Sequence, residues 1–402
     1  MKCTCARTRV MENAYAEVIG KAFKRYHADD YRERSRNARS SQRYERILLD
    51  DDGKVVAGVL VVAYDLRYGD TTITAGGIAD VVTDPECQGE GHGRMLFENV
   101  QEFMEDEGFH VSELFGIPNY YHKFYYVSAL TWQYFMLNVL GLRVESDPKT
   151  TSRLATVEDI PLLSGLYDAD KGRYPLSMVR NESDWLWLFE HQGFTNKCHL
   201  IEREGAPVTY YVFDSPKSWV EEICMVEGTP KELYDGILAE ICAEAKKDFK
   251  LNLHVDLPAD DPLAKHCLLR HEVPWMLKAD NNRGAMFRIV NQGPLFGQIA
   301  GELEKNWIDR PRSVSPTSFT LRTPLGDVGF DASESALRVT PGHEIGEVVE
   351  LPSEAVTELV CAFRAPADVL ADAGLVGSSE SADMICAVFP DRITFQSHAD
   401  HF

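Results

Sequence analysis

The stretch QGEGHGRMLFENV, residues 88–100, places three glycines within six positions and then reads as a helix. Glycine at this density costs backbone entropy on folding, so some group must approach the backbone here so closely that no side chain fits. A strand-like VVTD, residues 81–84, comes just before it. A strand, a glycine-rich turn and a helix start together predict an anion site, because the first N–H groups of a helix are unpaired and carry the positive end of its dipole.

Two common phosphate-binding motifs do not fit this segment. A Walker A loop ends in Gly-Lys-Ser/Thr, whereas Gly93 is followed by Arg94 and Met95. A dinucleotide fingerprint reads G-x-G-x-x-G, whereas residues 89–93 read G-x-G-x-G after a proline-containing loop. The third pattern, Q-x-x-G-x-G, is formed by Gln88, Gly91 and Gly93. It resembles the pyrophosphate loop of the Gcn5-related N-acetyltransferases (GNATs).

The flanking sequence strengthens the resemblance. In the GNAT family the strand before the loop splays from its neighbour at a bulge and pairs with the pantetheine arm of acetyl-CoA, and VVTDP stands in that place. Downstream, YYHKFYYVSA, residues 120–129, resembles the second family motif, Tyr-x-x-x-Gly-Phe/Tyr, which closes the CoA cleft. Acetyl-CoA is therefore the expected co-substrate.

The rest of the chain contains a second, divergent copy of the same unit. Residues 151–168 predict a strand, a capping box from Thr156 to Asp159 and a helix, and residues 198–213 predict a hairpin turning at Glu204 and Gly205. A strand, loop and long helix follow, but the loop reads MVEGTPKELYDGIL, residues 225–238, without the glycine cluster. If the glycines hold a cofactor, the second copy has lost it.

Together these features predict an α/β and α+β protein of three domains. We expect a catalytic GNAT domain at 1–145, a degenerate GNAT-like domain at 146–287 and a sterol-carrier-like α+β domain at 288–402. This architecture resembles the Eis (enhanced intracellular survival) acetyltransferases over the whole chain. That resemblance implies a hexamer built from trimers.

The resemblance also implies site residues. The pantetheine would be lined by Val81, Val82 and Thr83, and the thioester end would be bordered by Tyr121 and His122. The residues that would cradle the pyrophosphate are Gln88, Gly89, Glu90, Gly91, His92, Gly93 and Arg94. Within that cradle the role of Glu90 stays open, because a carboxylate repels phosphate unless it points outward.

Direct transfer of the acetyl group needs an acid and a base. Tyr126 matches the family's general acid, which protonates the departing CoA thiolate, with Tyr121 as the alternative. The carboxylate of the last residue, Phe402, matches the base, carried by a C-terminal tail that reaches the active site. His401 and Asp400 are candidates to assist it. Tyr125 departs from the family, which usually has glycine beside the acid.

The net charge of the chain limits the molecules that it can bind. The formal net charge of −22 opposes binding to nucleic acid or anionic membranes and favours cationic acceptors: aminoglycosides, polyamines or lysine-like amines of a small molecule or peptide. The basic stretch 21–47 is read as the solvated face of short helices rather than a binding patch. The nine scattered cysteines and the absence of an apolar leader predict free thiols in the cytoplasm.

No metal is expected: His398, Asp400 and His401 read as a solvated tail, and His266 and His271 read as surface or core residues of the second domain. The alternative function is a CoA-responsive or lipid-binding module without acetyltransferase activity, in which the third domain carries an apolar ligand. The absence of the sterol-carrier Trp-Asn pair counts against lipid binding there.

Overall fold

A computed structural model describes residues 1–23, 28–29, 31–32, 43–226, 228–375 and 377–401. Residue contacts divide the chain into two compact units. The first unit combines residues 1–130 with 280–392, and the second combines residues 131–279 with 393–401. None of the described helices is both long enough and apolar enough to cross a bilayer.

The strands are, in chain order, β1 (Lys2–Cys5), β2 (Arg43–Leu49), β3 (Val55–Tyr68), β4 (Thr71–Thr83), β5 (Val111–Gly116), β6 (Val127–Ser128), β7 (Thr131–Asn138), β8 (Thr150–Leu154), β9 (Cys198–Arg203), β10 (Ala206–Asp214), β11 (Trp219–Met225), β12 (Asn252–Asp256), β13 (Trp275–Ala279), β14 (Gly284–Ile289), β15 (Ser318–Thr323), β16 (Gly326–Ala332), β17 (Leu337–Pro341) and β18 (Glu347–Glu350). The α-helices are α1 (Arg9–Ala22), α2 (His92–Asp106), α3 (Ile160–Lys171), α4 (Glu182–His191), α5 (Phe194–Lys197), α6 (Tyr234–Lys247), α7 (Pro262–Arg270), α8 (Gln292–Ile308), α9 (Ser353–Val360), α10 (Pro366–Asp372) and α11 (Ser379–Val388).

The first unit is built on a seven-stranded sheet in the order β1-β2-β3-β4-β5-β14-β6. Its pairs are antiparallel except β4 with β5, which are parallel and are connected through α2. Side chains alternate between faces along each strand, so α1 buries one face of the sheet around Tyr15 and α2 buries the other around Phe97. The turn residues Asp51, Asp52 and Gly53 stand between two apolar runs and predict a hairpin, which β2 and β3 form.

The first unit also contains a smaller sheet, ordered β17-β16-β15-β18. Helix α8 packs on this sheet, with the ring of Phe296 lying 5.8 Å from Phe330 and 6.1 Å from Phe389. Four strands with helices on one side make an α+β layer, as the sequence predicts. Its likeness to sterol-carrier proteins stays a prediction.

The second unit repeats the plan of the first on a sheet ordered β13-β7-β12-β11-β10-β9-β8. A hairpin, β9–β10, leads into β11, and α6 connects β11 to its parallel neighbour β12. The predicted capping box of Thr156 and Asp159 is present at the turn that leads into α3.

Strands are exchanged between the two parts of the sequence. Strand β7 pairs with β12 and β13 in the second unit, and β14 pairs with β5 in the first. The predicted boundaries at 145/146 and 287/288 therefore differ from the contact division, which changes unit at 130/131 and 279/280. Hydrogen-bonded strand pairing causes this difference, since it joins residues that are remote in sequence.

Three local predictions were wrong. The run RTRV, residues 7–10, predicts a strand, but Thr8 caps α1 by accepting a hydrogen bond from the Met11 N–H, and the helix begins at Arg9. The sequence from Tyr120 predicts a helix, but the structure has a single 3-10 turn, Tyr121–Phe124. The run DRITFQSHADHF, residues 391–402, predicts a strand with a short tail, but residues 391–397 form no strand within the described chain.

Candidate active site

The parallel pairing of β4 with β5 ends before either strand does. The last pair joins Ile78 to Leu114, whereas β4 continues to Thr83 and β5 to Gly116. We call the opening between the two strand ends the fork. Backbone groups of a strand that has left its neighbour can pair with another extended chain.

A bulge on β4 starts the fork. The register between β3 and β4 shifts by one residue, and Asp80 takes a left-handed φ of 48°. The carbonyl of Asp80 accepts a hydrogen bond of 2.8 Å from the Tyr15 hydroxyl, which fixes the bulge on helix α1. A bulge bends its strand and strengthens the local twist, so it turns the end of β4 away from β5. The sequence offers no signal for this residue.

The predicted pantetheine residues form the β4 side of the fork. Val82 is buried in the cluster beneath α1, whereas Val81 is half-buried against the cluster beneath α2. Their backbones, rather than their side chains, are the groups that can pair with an extended ligand. Thr83 ends the strand and lies close to the helix start, because a methyl group on Gly93 would stand 3.3 Å from the Thr83 hydroxyl oxygen.

The glycine-rich loop leads directly into α2. Gly89 and Gly91 have φ values of 85° and 84°, a left-handed conformation that side chains disfavour, and Gly91 is the N-cap of α2. A Cβ added at either position would meet nothing within 4 Å. The two glycines are therefore required by backbone conformation, and the space beside them is open to a ligand.

The charged side chains beside the helix start, Glu90 and Arg94, are exposed. The side chain of Glu90 is 63% exposed and its Oε2 lies 3.6 Å from His92 Nε2. Arg94 is also exposed and lies 3.5 Å from Glu98 on the same helix. The other ring nitrogen of His92, Nδ1, is buried and has no hydrogen-bond partner among the described residues. An outward Glu90 resolves the difficulty of a carboxylate in an anion cradle.

Asp84 stabilises the start of the glycine-rich loop through hydrogen bonds. Its buried carboxylate accepts hydrogen bonds from Lys21 Nζ at 2.9 Å and from the Glu86 N–H at 3.1 Å. Burial opposes ionisation of this carboxyl, but the bonds from Lys21 and the backbone outweigh it and lower its pKa. Asp84 was not among the predicted site residues. The sequence feature that could have identified it is a single acidic residue directly after an apolar strand.

The tyrosine-rich motif forms the β5 side of the fork. Tyr121 is buried, and its ring contacts those of Phe97 and Tyr126 at centroid distances of 5.5 and 6.4 Å. His122 is exposed. Tyr125 takes a left-handed φ of 65°, a conformation that glycine adopts more readily than a residue with a side chain.

Tyr126 is fully buried and lies in a short hydrogen-bond chain. Its hydroxyl donates to Ser112 Oγ at 2.6 Å, and Ser112 donates in turn to the Gly76 carbonyl at 2.8 Å. Burial raises the pKa of Tyr126 to about 12, and burial likewise raises the pKa of Tyr121 to about 12. Both hydroxyls therefore stay protonated at neutral pH and can donate.

Ser112 is a residue that the sequence-based prediction missed. It lies on β5 opposite Gly76, two pairs before the fork opens. The available signal was the polar pair Ser112 and Glu113 inside an otherwise apolar strand. Glu113 is also buried, and it accepts a hydrogen bond from Tyr64.

The predicted base, Phe402, lies outside the described residues. The tail before it belongs to the second unit, where Arg180 donates to both oxygens of Asp400 at 2.9 Å. Arg180 also donates to both oxygens of Glu222, and all three side chains are buried. The carboxylate of Asp400 is therefore an anchor for the tail.

The tail contacts both strands of the second unit's own fork. The parallel pairing of β11 with β12 ends at Val220 and Val255. The ring of His398 lies 4.2 Å from that of Trp219 on β11, and its Nδ1 lies 2.9 Å from Asp256 at the end of β12. His398 therefore lies beside the point where β11 and β12 separate.

Most of the basic stretch 21–47 lies outside the described residues. Among those described, Lys21 pairs with Asp84, and Arg32 pairs with Glu17 and Asp29. Arg46 donates to Asn99 at 2.6 Å and lies over the ring of Phe103. These cations are engaged within the first unit, in keeping with a solvated structural face.

The parallel fork, the glycine-lined helix start and the tyrosine motif define an acyltransferase fold. A family model described as an acetyltransferase (GNAT) domain matches residues 8–128. These residues form a GNAT acetyltransferase domain, so the chain is an acyltransferase of that kind. A comparison with curated proteins finds no significant sequence match.

Solved structures share the fold of the whole chain. A probable N-acyltransferase from Enterococcus faecalis V583 matches with a TM-score of 0.77 and 15% identity, covering 100% of this chain and 99% of that one. A GCN5-related N-acetyltransferase from Kribbella flavida gives 0.72 and 18%, covering 100% and 98%. Eis1 from Mycobacterium abscessus gives 0.68 and 13%, covering 100% of both. At these identities the likeness concerns the fold.

Proposed function

We propose that the protein transfers the acetyl group of acetyl-CoA directly to an amine of a cationic acceptor. The observation that carries the proposal is the fork between β4 and β5, which ends at a helix start flanked by open space. An extended pantetheine arm can pair with the free edge of a strand, and a pyrophosphate suits unpaired N–H groups at a helix N-terminus.

The loop residues fit the anionic part of CoA. In our proposal Gln88 and residues 89–94 hold the pyrophosphate through backbone N–H groups, with Arg94 adding a charge-assisted bond. Val81, Val82 and Thr83 pair with the pantetheine, and Tyr121 and His122 border the thioester. The unpartnered Nδ1 of His92 is a further buried polar atom beside the helix start that a ligand can satisfy.

Tyr126 is the proposed general acid. Collapse of the tetrahedral intermediate places negative charge on the CoA sulfur, and a protonated tyrosine hydroxyl can deliver a proton there. Its bond to Ser112 orients the hydroxyl in the absence of substrate. The terminal carboxylate of Phe402 is the proposed base. With an ordinary pKa of about 3.5 it would hold the substrate ammonium and relay its proton through water.

The acceptor follows from charge. An amine with a pKa near 10 is protonated at neutral pH, and a chain with a net charge of −22 attracts such cations over long distances. We therefore propose an aminoglycoside, a polyamine or a lysine-like amine. We also propose a cytoplasmic homo-oligomer: all nine cysteines are free, and five of them are buried, which suits a reducing compartment.

The test is release of free CoA thiol from acetyl-CoA with a panel of these amines. We expect Tyr126→Phe to lower kcat by about 100-fold or more while the Kd for acetyl-CoA stays unchanged. Tyr125→Phe is the matched control, because Tyr125 is adjacent but exposed, and it should retain the wild-type kcat.

The role of the Phe402 carboxylate as the base is tested by placing an affinity tag at one end of the chain or the other. A C-terminal tag or deletion of Phe402 should lower kcat, whereas the same tag at the N-terminus should not. CoA binding without thiol release from any amine would refute the proposal and favour a CoA-responsive or lipid-binding module.

A further inference from the structure

Three metal-ligating side chains converge in the second unit, and none of them belongs to the proposed acetyl-CoA site. Asp235 lies in the first turn of α6, His266 lies on α7, and His271 follows the end of α7. The Nε2 atoms of His266 and His271 lie 2.7 and 2.9 Å from the same oxygen, Asp235 Oδ1. The three donor atoms all lie within 4.8 Å of one another.

The helices fix this convergence. Asp261 caps α7 by accepting hydrogen bonds from the Leu263 and Ala264 N–H groups, which sets the direction of the helix that carries His266. The ring of Tyr234 packs edge-on against His266 at 5.3 Å, and the two imidazole rings lie 5.3 Å apart. All three donor residues are half-buried, so the cluster is held by packing yet remains accessible.

The cluster opens into a cleft of about 1030 Å³. Glu232 and Glu272 also line this cleft. With Asp235 they offset most of the positive charge of the four cations that line it, which are Arg143, Lys231, Lys265 and Arg270. The cleft leaves room for an external ligand next to the three donors. Two imidazoles, one carboxylate and an open fourth position are the donor set of many zinc centres.

We propose that Asp235, His266 and His271 bind a divalent transition-metal ion of the zinc class, with its fourth position open to the cleft. The sequence-based interpretation had assigned both histidines to the surface or the core. Tetrahedral zinc with ligand bonds of about 2.0–2.2 Å separates its donors by about 3.3 Å, so the cluster expands only slightly to admit the ion. Asp235 and Gly93 occupy corresponding positions, because each is the second residue of its helix, α6 and α2 respectively. The second unit therefore has a carboxylate near the helix start where the first unit has a glycine.

The first experiment measures Zn²⁺ binding to the full-length protein after removal of bound metal with a chelator. Competition with a chromogenic chelator should give one Zn²⁺ per chain, and the added ion should raise the melting temperature. Asp235→Asn and His266→Gln should each weaken binding at least tenfold and abolish the thermal shift. The matched control, His254→Gln, changes a histidine of the same unit outside the cluster and should bind as the wild type does.

The second experiment identifies the ligands in the wild-type chain and needs no variant. Co²⁺ in place of Zn²⁺ should give the visible absorption of a four-coordinate site with nitrogen and oxygen ligands. A thiolate charge-transfer band would place the ion on cysteines such as Cys3 and Cys5 and would overturn the proposal. It would equally be overturned by a wild-type chain that takes up no ion at micromolar Zn²⁺, or by variants that bind as tightly as wild type. None of these measurements depends on acetyl transfer.

Discussion

Arg180 and Asp400 are 220 positions apart in the chain and are joined by two buried hydrogen bonds of 2.9 Å. The Arg180 guanidinium lies 3.9 Å above the ring of Tyr167, whose hydroxyl also donates to Asp400 at 3.2 Å. The residue that carries the proposed catalytic base comes two positions after Asp400. The pair therefore holds the chain segment on which that base depends.

Asp400→Asn tests this anchor. The variant removes the charge of residue 400 and replaces one of the two oxygens that accept from Arg180 with an NH2 group, so we expect a loss of about 1.5–3 kcal/mol, the usual contribution of hydrogen bonds to a charged group. Hydrogen exchange should accelerate in residues 393–401, and kcat should fall more than the KM for acetyl-CoA rises. The exposed Asp391→Asn is the control and should alter none of these quantities. Unchanged exchange in the tail would rule the anchor out.

Ser112→Ala tests whether the partner of Tyr126 positions the proposed acid. Removing the acceptor frees the Tyr126 hydroxyl to rotate, so kcat should fall while the Kd for acetyl-CoA stays constant. Ser128→Ala is matched to it, because Ser128 is also buried on a strand and donates to the Arg283 carbonyl at 3.0 Å. Both variants should lose about 1 kcal/mol of stability. An equal loss of kcat in both would assign Ser112 a structural role alone.

Gly91→Ala separates backbone strain from ligand binding. Gly91 and Gly108 have φ values of 84° and 80°, and a Cβ at either would meet nothing within 4 Å. Alanine in this conformation costs about 1–2 kcal/mol, so both substitutions should lower the unfolding free energy alike. Only Gly91→Ala should weaken acetyl-CoA binding, measured by calorimetry. Equal affinities in the two variants would remove the loop from the proposed site.

Glu90→Gln tests the electrostatics of the cradle. The exposed carboxylate opposes a bound pyrophosphate, so the neutral variant should bind acetyl-CoA about twofold to fivefold more tightly at low salt. The gain should shrink as salt is raised, because screening weakens exposed charges. Glu102→Gln, which changes an exposed carboxylate in the last turns of α2, should leave the affinity unchanged. A weaker affinity in Glu90→Gln would mean that the carboxylate makes a favourable contact with the ligand.

The tyrosine pKa values predict a pH dependence. Burial raises the pKa of Tyr126 to about 12, above the ordinary value of about 10. The unfolded chain therefore loses this proton first, so its contribution to stability is complete below pH 10 and is lost as the pH rises towards 12. The near-ultraviolet absorbance is measured against pH for the wild type and for Tyr126→Phe. The difference between the two curves should show no ionisation of Tyr126 below about pH 11. A midpoint near 10 would contradict a buried, protonated acid.

Local features of this protein follow from the sequence alone. The turn at Asp51–Gly53 and the capping box of Thr156 and Asp159 were readable, because each depends on the backbone preference of a few adjacent residues. The sequence marked glycines 89 and 91 as places of close approach, whereas the structure requires glycine there for a left-handed φ. The fork was expected only through the resemblance to GNAT enzymes. The motif also identified Tyr126 as a candidate, although no pattern revealed its partner Ser112.

Tertiary structure decided what lies far apart in the chain. The bulge at Asp80 is fixed by Tyr15, the exchange of β7 and β14 is fixed by strand pairing, and Asp400 is anchored by Arg180. In the same way, Asp235 meets His266 and His271 only through the packing of α6 and α7. The physical reason is common to all of them. Sequence patterns record local conformation and burial, whereas the partner of a buried polar group is chosen by which distant segments the folded chain brings together.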